Sequence, residues 1–143
     1  MAKLTDEQIG EAFAPHLHEG ETLKYWAYGV KQPNMLLIIG LIALCVLPGI
    51  IAIALLTKNY FIGLTESRLI VLQVKGTKPE DVKAVTEYSL SELSSANAST
   101  STGGLFTHIV IKDEEKPFKA KFHRAFSTSN RPNAIAIGEA VAA

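Results

Sequence analysis

The sequence predicts an α+β fold: an antiparallel β-sandwich or barrel capped by a C-terminal helix, with a hydrophobic helical hairpin inserted into it. Three observations carry the prediction. Several runs alternate apolar and polar residues with the period of half-buried strands, most cleanly Phe118-Lys119-Ala120-Lys121-Phe122-His123. The last stretch, from Asn130 onward, repeats its apolar residues on one helical face instead. Between Lys31 and Lys58, the run Met35 to Leu56 holds 22 residues without a charge.

The bulk composition narrows the classes of function. A formal net charge of zero over 143 residues leaves no overall field to steer the chain toward nucleic acid. The single cysteine, Cys45, makes neither a disulfide framework nor a Cys-rich zinc site, and inside the apolar run it reads as a small hydrophobe. The polar, acidic start MAKLTDEQIGEAF does not read as a cleavable signal peptide. The expected organisation is an N-terminal amphipathic helix and linker over 1–18, then one domain over 19–143, interrupted by a hydrophobic insert over 33–58.

Each element has its own signal. Thr5 and Gln8 form a T-x-x-Q capping box, and Leu4 is placed to staple against Ile9. The helix should run to Ala14 and bury Ile9, Ala12 and Phe13, with Pro15 ending it. His16 and His18 stand too isolated for a metal site and read as a loop. Glu21 to Val30 is aromatic-rich and predicts the first strand. Tyr60 to Leu64 and Arg68 to Val74 predict a hairpin turning at Thr65-Glu66-Ser67. Lys75 to Lys83 reads as a polar Gly/Pro loop, and Ala84 to Leu90 as the next strand. A turn near Ser91-Glu92-Leu93 leads into a small-residue segment that could continue as a strand. Gly103-Gly104 marks a turn, Leu105 to Lys112 a strand, and Asp113 to Pro117 a charged hairpin loop. Phe118 to Ala125 returns, pointing Phe118, Ala120 and Phe122 inward. Asn130 should cap the final helix, whose stripe is Ile135, Gly138 and Ala142, with Ile137 and Val141 beside it.

This order, with GETLKYWAYGV as first strand and FIGLTESRLIVLQVKG as second hairpin, resembles the bacterial pleckstrin-homology-like (PH-like) domains. Leu64-Thr65 and Arg68-Leu69 look like that family's "lT-x-x-Rl" signature, and TEYSLSEL is similar to the short element that follows it. The resemblance spans about residues 19 to 142 without the insert. It implies a scaffold closed by the C-terminal helix more than an activity. The resemblance implies a membrane-associated or oligomeric module, since some members carry membrane-spanning helices next to the domain or inserted into it.

Within such a sheet the apolar run takes on a different meaning. As one helix it would reach roughly 33 Å, enough for a bilayer core. A single crossing, however, would put the strands on its two sides on opposite faces of the membrane. A hairpin turning at Pro48-Gly49 keeps them together, and its arms of roughly 14 and 8 residues reach about one leaflet. The residues expected to insert are Met35, Leu36, Leu37, Ile38, Ile39, Leu41, Leu44, Leu47, Pro48, Gly49, Ile50, Ile51, Ile53, Leu55 and Leu56. Gly40, Ala43, Ala52 and Ala54 would let the arms approach. Lys31 and Lys58 on one membrane face suit the cytoplasmic side. A single span, or burial of the run in a homo-oligomer, are the alternatives.

The other charged feature is basic. From Lys116 to Arg131 there are Lys116, Lys119, Lys121, His123, Arg124 and Arg131 and no acid. This is either a solvated strand face or a surface for anionic lipid headgroups. Lys31, Lys58, Lys119, Lys121 and Arg124 are the candidate headgroup contacts. Phe118 and Phe122 point inward, so no stacking aromatics face outward for nucleic acid. No nucleophile elbow, paired carboxylates, phosphate loop or metal cluster stands out. The expected partners are therefore membrane lipid and further copies of the chain, with no catalysis, metal or cofactor.

Overall fold

A computed structural model of the chain describes residues 5–31, 39–40, 43, 51 and 56–143. Seven strands form one antiparallel sheet: β1 Tyr25–Lys31, β2 Lys58–Leu64, β3 Arg68–Lys75, β4 Lys78–Ser89, β5 Ala98–Thr102, β6 Phe106–Ile111 and β7 Phe118–His123. Their spatial order is β4-β3-β2-β1-β7-β6-β5. Helix α1, Asp6–Phe13, precedes the sheet, and α2, Asn130–Val141, follows it. An antiparallel sheet followed by a C-terminal helix is the order of elements expected from the sequence.

The sheet is apolar on both faces. On the inner face, Ala27, Ile62, Leu69, Val71, Ile109, Phe118, Ala120 and Phe122 pack with Ala134, Ile137 and Val141 of α2. On the outer face, Trp26, Phe61, Ile70, Leu72 and Val74 pack under Ile9 and Phe13 of α1. This is why Leu69 to Val74 shows no clean alternation: a strand covered on both sides is apolar throughout.

Helix α1 begins as expected. Thr5 accepts from the Gln8 backbone N–H, and the Gln8 side chain accepts from the Thr5 backbone. Its first-turn Asp6 also takes the Trp26 indole N–H at 2.8 Å, tying the helix to β1. Gly63 lets it lie close, since a Cβ there would stand 2.5 Å from Leu23 and 2.7 Å from Phe13. The helix ends at Phe13, one residue early, and a 3₁₀ turn over Ala14–His16 follows. The Leu4 contact lies outside the described residues.

Four expectations are corrected. The loop over Lys75 to Lys83 is only the turn Gly76-Thr77, with Gly76 at φ +60°, and β4 already runs from Lys78. That strand lies at the sheet edge, where Pro79 needs no ladder partner on its outer side. Its solvent-facing residues carry the charges that masked it as a strand. The first strand begins at Tyr25 rather than Glu21, because Glu21 is held away in an ion pair. The strand after the insert begins at Lys58, two residues before the expected Tyr60.

The fourth correction concerns the last helix. Its buried stripe is Ala134, Ile137, Gly138 and Val141, and Ile135 is only half-buried. Asn130 is no cap: Ser129 occupies that position without a side-chain bond. Asn130 is itself buried, and its amide fills the gap between β1 and β7. It accepts the Tyr28 N–H at 2.8 Å and donates to the Tyr28 and His123 carbonyls at 3.0 and 2.9 Å. These strands share one register pair, Val30 with Lys121, so the side chain supplies what the ladder lacks.

Of the residues expected to insert, Met35, Leu36, Leu37, Ile38, Leu41, Leu44, Leu47, Pro48, Gly49, Ile50, Ile53 and Leu55 lie outside the described residues. So do the Pro48-Gly49 turn and Cys45. Ile39, Ile51 and Leu56 are described, and each is helical and exposed. Among the described residues no helix is long and apolar enough to cross a membrane.

Candidate functional site

The insert is rooted in a row of lysines that only the register brings together. Lys31, the last residue of β1, lies directly opposite Lys58, the first of β2. Asn59 pairs with Val74, so Lys58 stands beside Lys75 at the end of β3. Lys75 in turn pairs with Lys78 across the Gly76 turn. All four are exposed. Like charges directly opposite in a sheet destabilise it modestly, and this end of the sheet carries four in a row. The ion pairs among the described residues all belong to Arg68, so none of those pairs holds a lysine of this rim.

The basic stripe of β7 divides on folding. Lys119 and Lys121 point outward as expected, while Phe118, Ala120 and Phe122 are buried. Lys121 lies opposite Val30, next to the root of the insert, and its ammonium sits 4.7 Å from the Phe106 ring. Lys116 is used structurally: its ammonium donates to the Glu87 carbonyl at 2.7 Å and lies over the Tyr88 ring. Arg131 donates to the Gly104 carbonyl. Arg124 is exposed, but it follows the end of β7 and so lies on the side away from Lys31. Lys121, opposite Val30, lies on the other face of the sheet, and of the five candidate headgroup contacts Lys31 and Lys58 come together. Lys75 and Lys78 belong with them, and alternation within one strand could not reveal that.

At the opposite end of β3 Arg68 gathers the ion pairs found among the described residues. Arg68 donates through Nε and Nη2 to the two oxygens of Glu21, and through Nη2 to the His16 carbonyl. Its Nη1 pairs with Glu87. Thr65 donates its hydroxyl to Glu21 at 2.9 Å. The hydrogen bonds from Arg68, above all, hold the Glu21 carboxyl down at about 2. Glu21 in turn raises the Arg68 guanidinium above its ordinary value. The Thr65 and Arg68 of the "lT-x-x-Rl" signature are thus a clamp that ties the segment after α1 to the β2–β3 hairpin. Nothing in it is free for chemistry.

Other polar groups are also committed. The Tyr88 hydroxyl donates to the Lys116 carbonyl at 2.5 Å, and burial pushes it up to about 12. Among the described residues no three His, Cys, Asp or Glu side chains gather as a metal would require.

No protein-family model and no curated protein matches the chain. Among solved structures the chain is similar to the crystal structure of a pleckstrin homology domain from Shewanella amazonensis SB2B. The two share 14% identity over 91% of this chain and 94% of that one, with a TM-score of 0.41. A likeness that distant assigns no ligand and no activity.

Proposed function

We propose that this chain is a non-catalytic PH-like module that holds to a membrane through residues 35–56, inserted as a re-entrant hairpin. The observation that supports it is the pairing of Lys31 with Lys58, because both ends of the insert leave the sheet from one register row. A single crossing would have to separate two residues that face each other across one antiparallel ladder. The 22 uncharged residues then dip into one leaflet, with the lysine rim at the headgroup level on the cytoplasmic side. Homo-oligomerisation follows from the same segment, since copies packed side by side would shield the turn from hydrocarbon.

The test is side-specific labelling in sealed vesicles, with single cysteines at Lys31, Lys58 and Gly49 in a Cys45→Ala background. Labelling of Lys31→Cys and Lys58→Cys from the same side, with Gly49→Cys protected from both, is the expected result. Opposite-side labelling of the two roots would overturn the hairpin, and far-side labelling of Gly49→Cys would mean two full crossings.

A second reading takes the module as a reader of anionic headgroups, and the rim of four exposed lysines favours it. Replacing residues 32–57 by Asn-Gly should leave Lys31 and Lys58 joined by a tight turn. Vesicle binding by that variant that is lost at high salt would support headgroup reading. Salt-independent binding that vanishes with the insert would support anchoring.

A further inference from the structure

The outer side of the β1–β7 seam holds a cavity of about 200 Å³, lined by Tyr28, Gly29, Val30, Lys121, His123 and Phe126. The seam gapes there because the strands share one register pair and Asn130 bridges the rest. Gly29 lies against the Phe122 ring, where a Cβ would stand 2.5 Å from it, so only its backbone borders the cavity. Phe126, arriving from the turn after β7, stacks on Tyr28 at 4.4 Å and 19°.

Almost every polar group around the cavity is already bonded. The Tyr28 hydroxyl donates to Asn59 at 2.6 Å, and its backbone groups are taken by Asn130. His123 accepts the Ala125 N–H on Nδ1 at 2.9 Å, so the neutral ring carries its proton on Nε2. Its ring stands edge-on to Phe106 at 4.8 Å, and the same ring backs the Lys121 ammonium. Two lining donors make no hydrogen bond among the described residues, His123 Nε2–H and Lys121 Nζ, the latter resting over the Phe106 ring. They lie two residues apart on one face of β7, and no carboxylate lines the cavity.

We propose that this cavity binds a small aryl carboxylate. The carboxylate would sit between Lys121 and His123, and the flat apolar body against Tyr28, Val30 and Phe126. Two donors match the two oxygens of one carboxylate, and an apolar pocket with a few placed polar groups is the ordinary form of a small-ligand site. The volume limits the body to about one or two fused rings. This site is separate from the lysine rim and does not depend on membrane insertion.

The full-length protein in nanodiscs is titrated with 2-naphthoate, following the NMR signals of the His123 and Phe126 rings. Methyl 2-naphthoate is the uncharged control, and it also reports partition into the lipid. A saturable shift of both rings with the acid and none with the ester is expected. Lys121→Gln should weaken binding about tenfold or more, the scale of a lost hydrogen bond to a charged group. Lys121→Arg should retain most of it, and His123→Gln should weaken it severalfold. Both Lys121 and His123 are only half-buried, and unchanged backbone spectra would establish that the variants fold. Equal binding of acid and ester, equal binding by wild type and Lys121→Gln, or no saturable shift would each overturn the proposal.

Discussion

The two faces of the sheet are covered by different means. The inner face closes against α2, a 12-residue helix buried along Ala134, Ile137, Gly138 and Val141. The outer face closes against α1, an eight-residue helix with Ile9 and Phe13 as its buried anchors. A helix that short is marginal by itself, so its place depends on docking. Three polar devices add to it: the Thr5–Gln8 capping box, the Trp26–Asp6 bond, and the clamp of Arg68 on Glu21 and on the His16 carbonyl. The inner core rests on the larger apolar cluster, with Asn130 tying α2 to β1 and β7. The outer one is a lid fastened at both ends, and the difference predicts that it opens first.

The largest effect should come from the inner face. Phe122→Ala removes a fully buried ring and should cost about 3–5 kcal/mol in urea unfolding, with all strands melting together. A similar loss confined to α1 would reverse the ranking of the two faces.

Next in size is the clamp, tested by pH. Glu21 titrates lower in the folded chain, at about 2, than when unfolded, so its stabilisation is complete above the ordinary value near 4.5. It is lost as pH falls from there through about 2, a loss of about 2–3 kcal/mol. Glu21→Gln should flatten that part of the stability profile, measured by urea midpoints across the acid range. An unchanged slope would mean that the clamp contributes little.

Gly63→Ala should act on the lid specifically, at about 1–3 kcal/mol, because its new methyl meets Phe13 and Leu23. Hydrogen exchange in α1 should speed up while β6 and β7 stay protected. Smallest is Thr5→Ala, which removes the cap at about 1 kcal/mol and should appear as faster exchange in the first turn of α1. If these two variants lowered protection evenly over the whole sheet, lid and core would be one cooperative unit.

Legibility followed burial. Strand β7 was plain because one side faces the core and the other water, and so its lysines alternate with buried residues. The capping box of α1 was plain because it lies within four residues. Strand β4 was half hidden, since an exposed edge strand has no apolar face to display and Pro79 reads as a loop. Asn130 looked like a cap because that is the local use of such a residue. Its actual partners, Tyr28 and His123, come from two strands, and one of them is 102 positions away in sequence.

By itself, then, the sequence determined six of the strands and the closing helix in order, with β5 left open, the uncharged run between Lys31 and Lys58, and the local start of α1. All of these depend on periodicity or on neighbours a few residues apart. Tertiary structure alone decided which charges meet. Lys75 and Lys78 join Lys31 and Lys58 through strand register, and Lys121 meets His123, Tyr28 and Phe126 at a seam that a buried amide holds open. Register and seam are set by packing both faces of the sheet at once, so no single stretch of the chain encodes them.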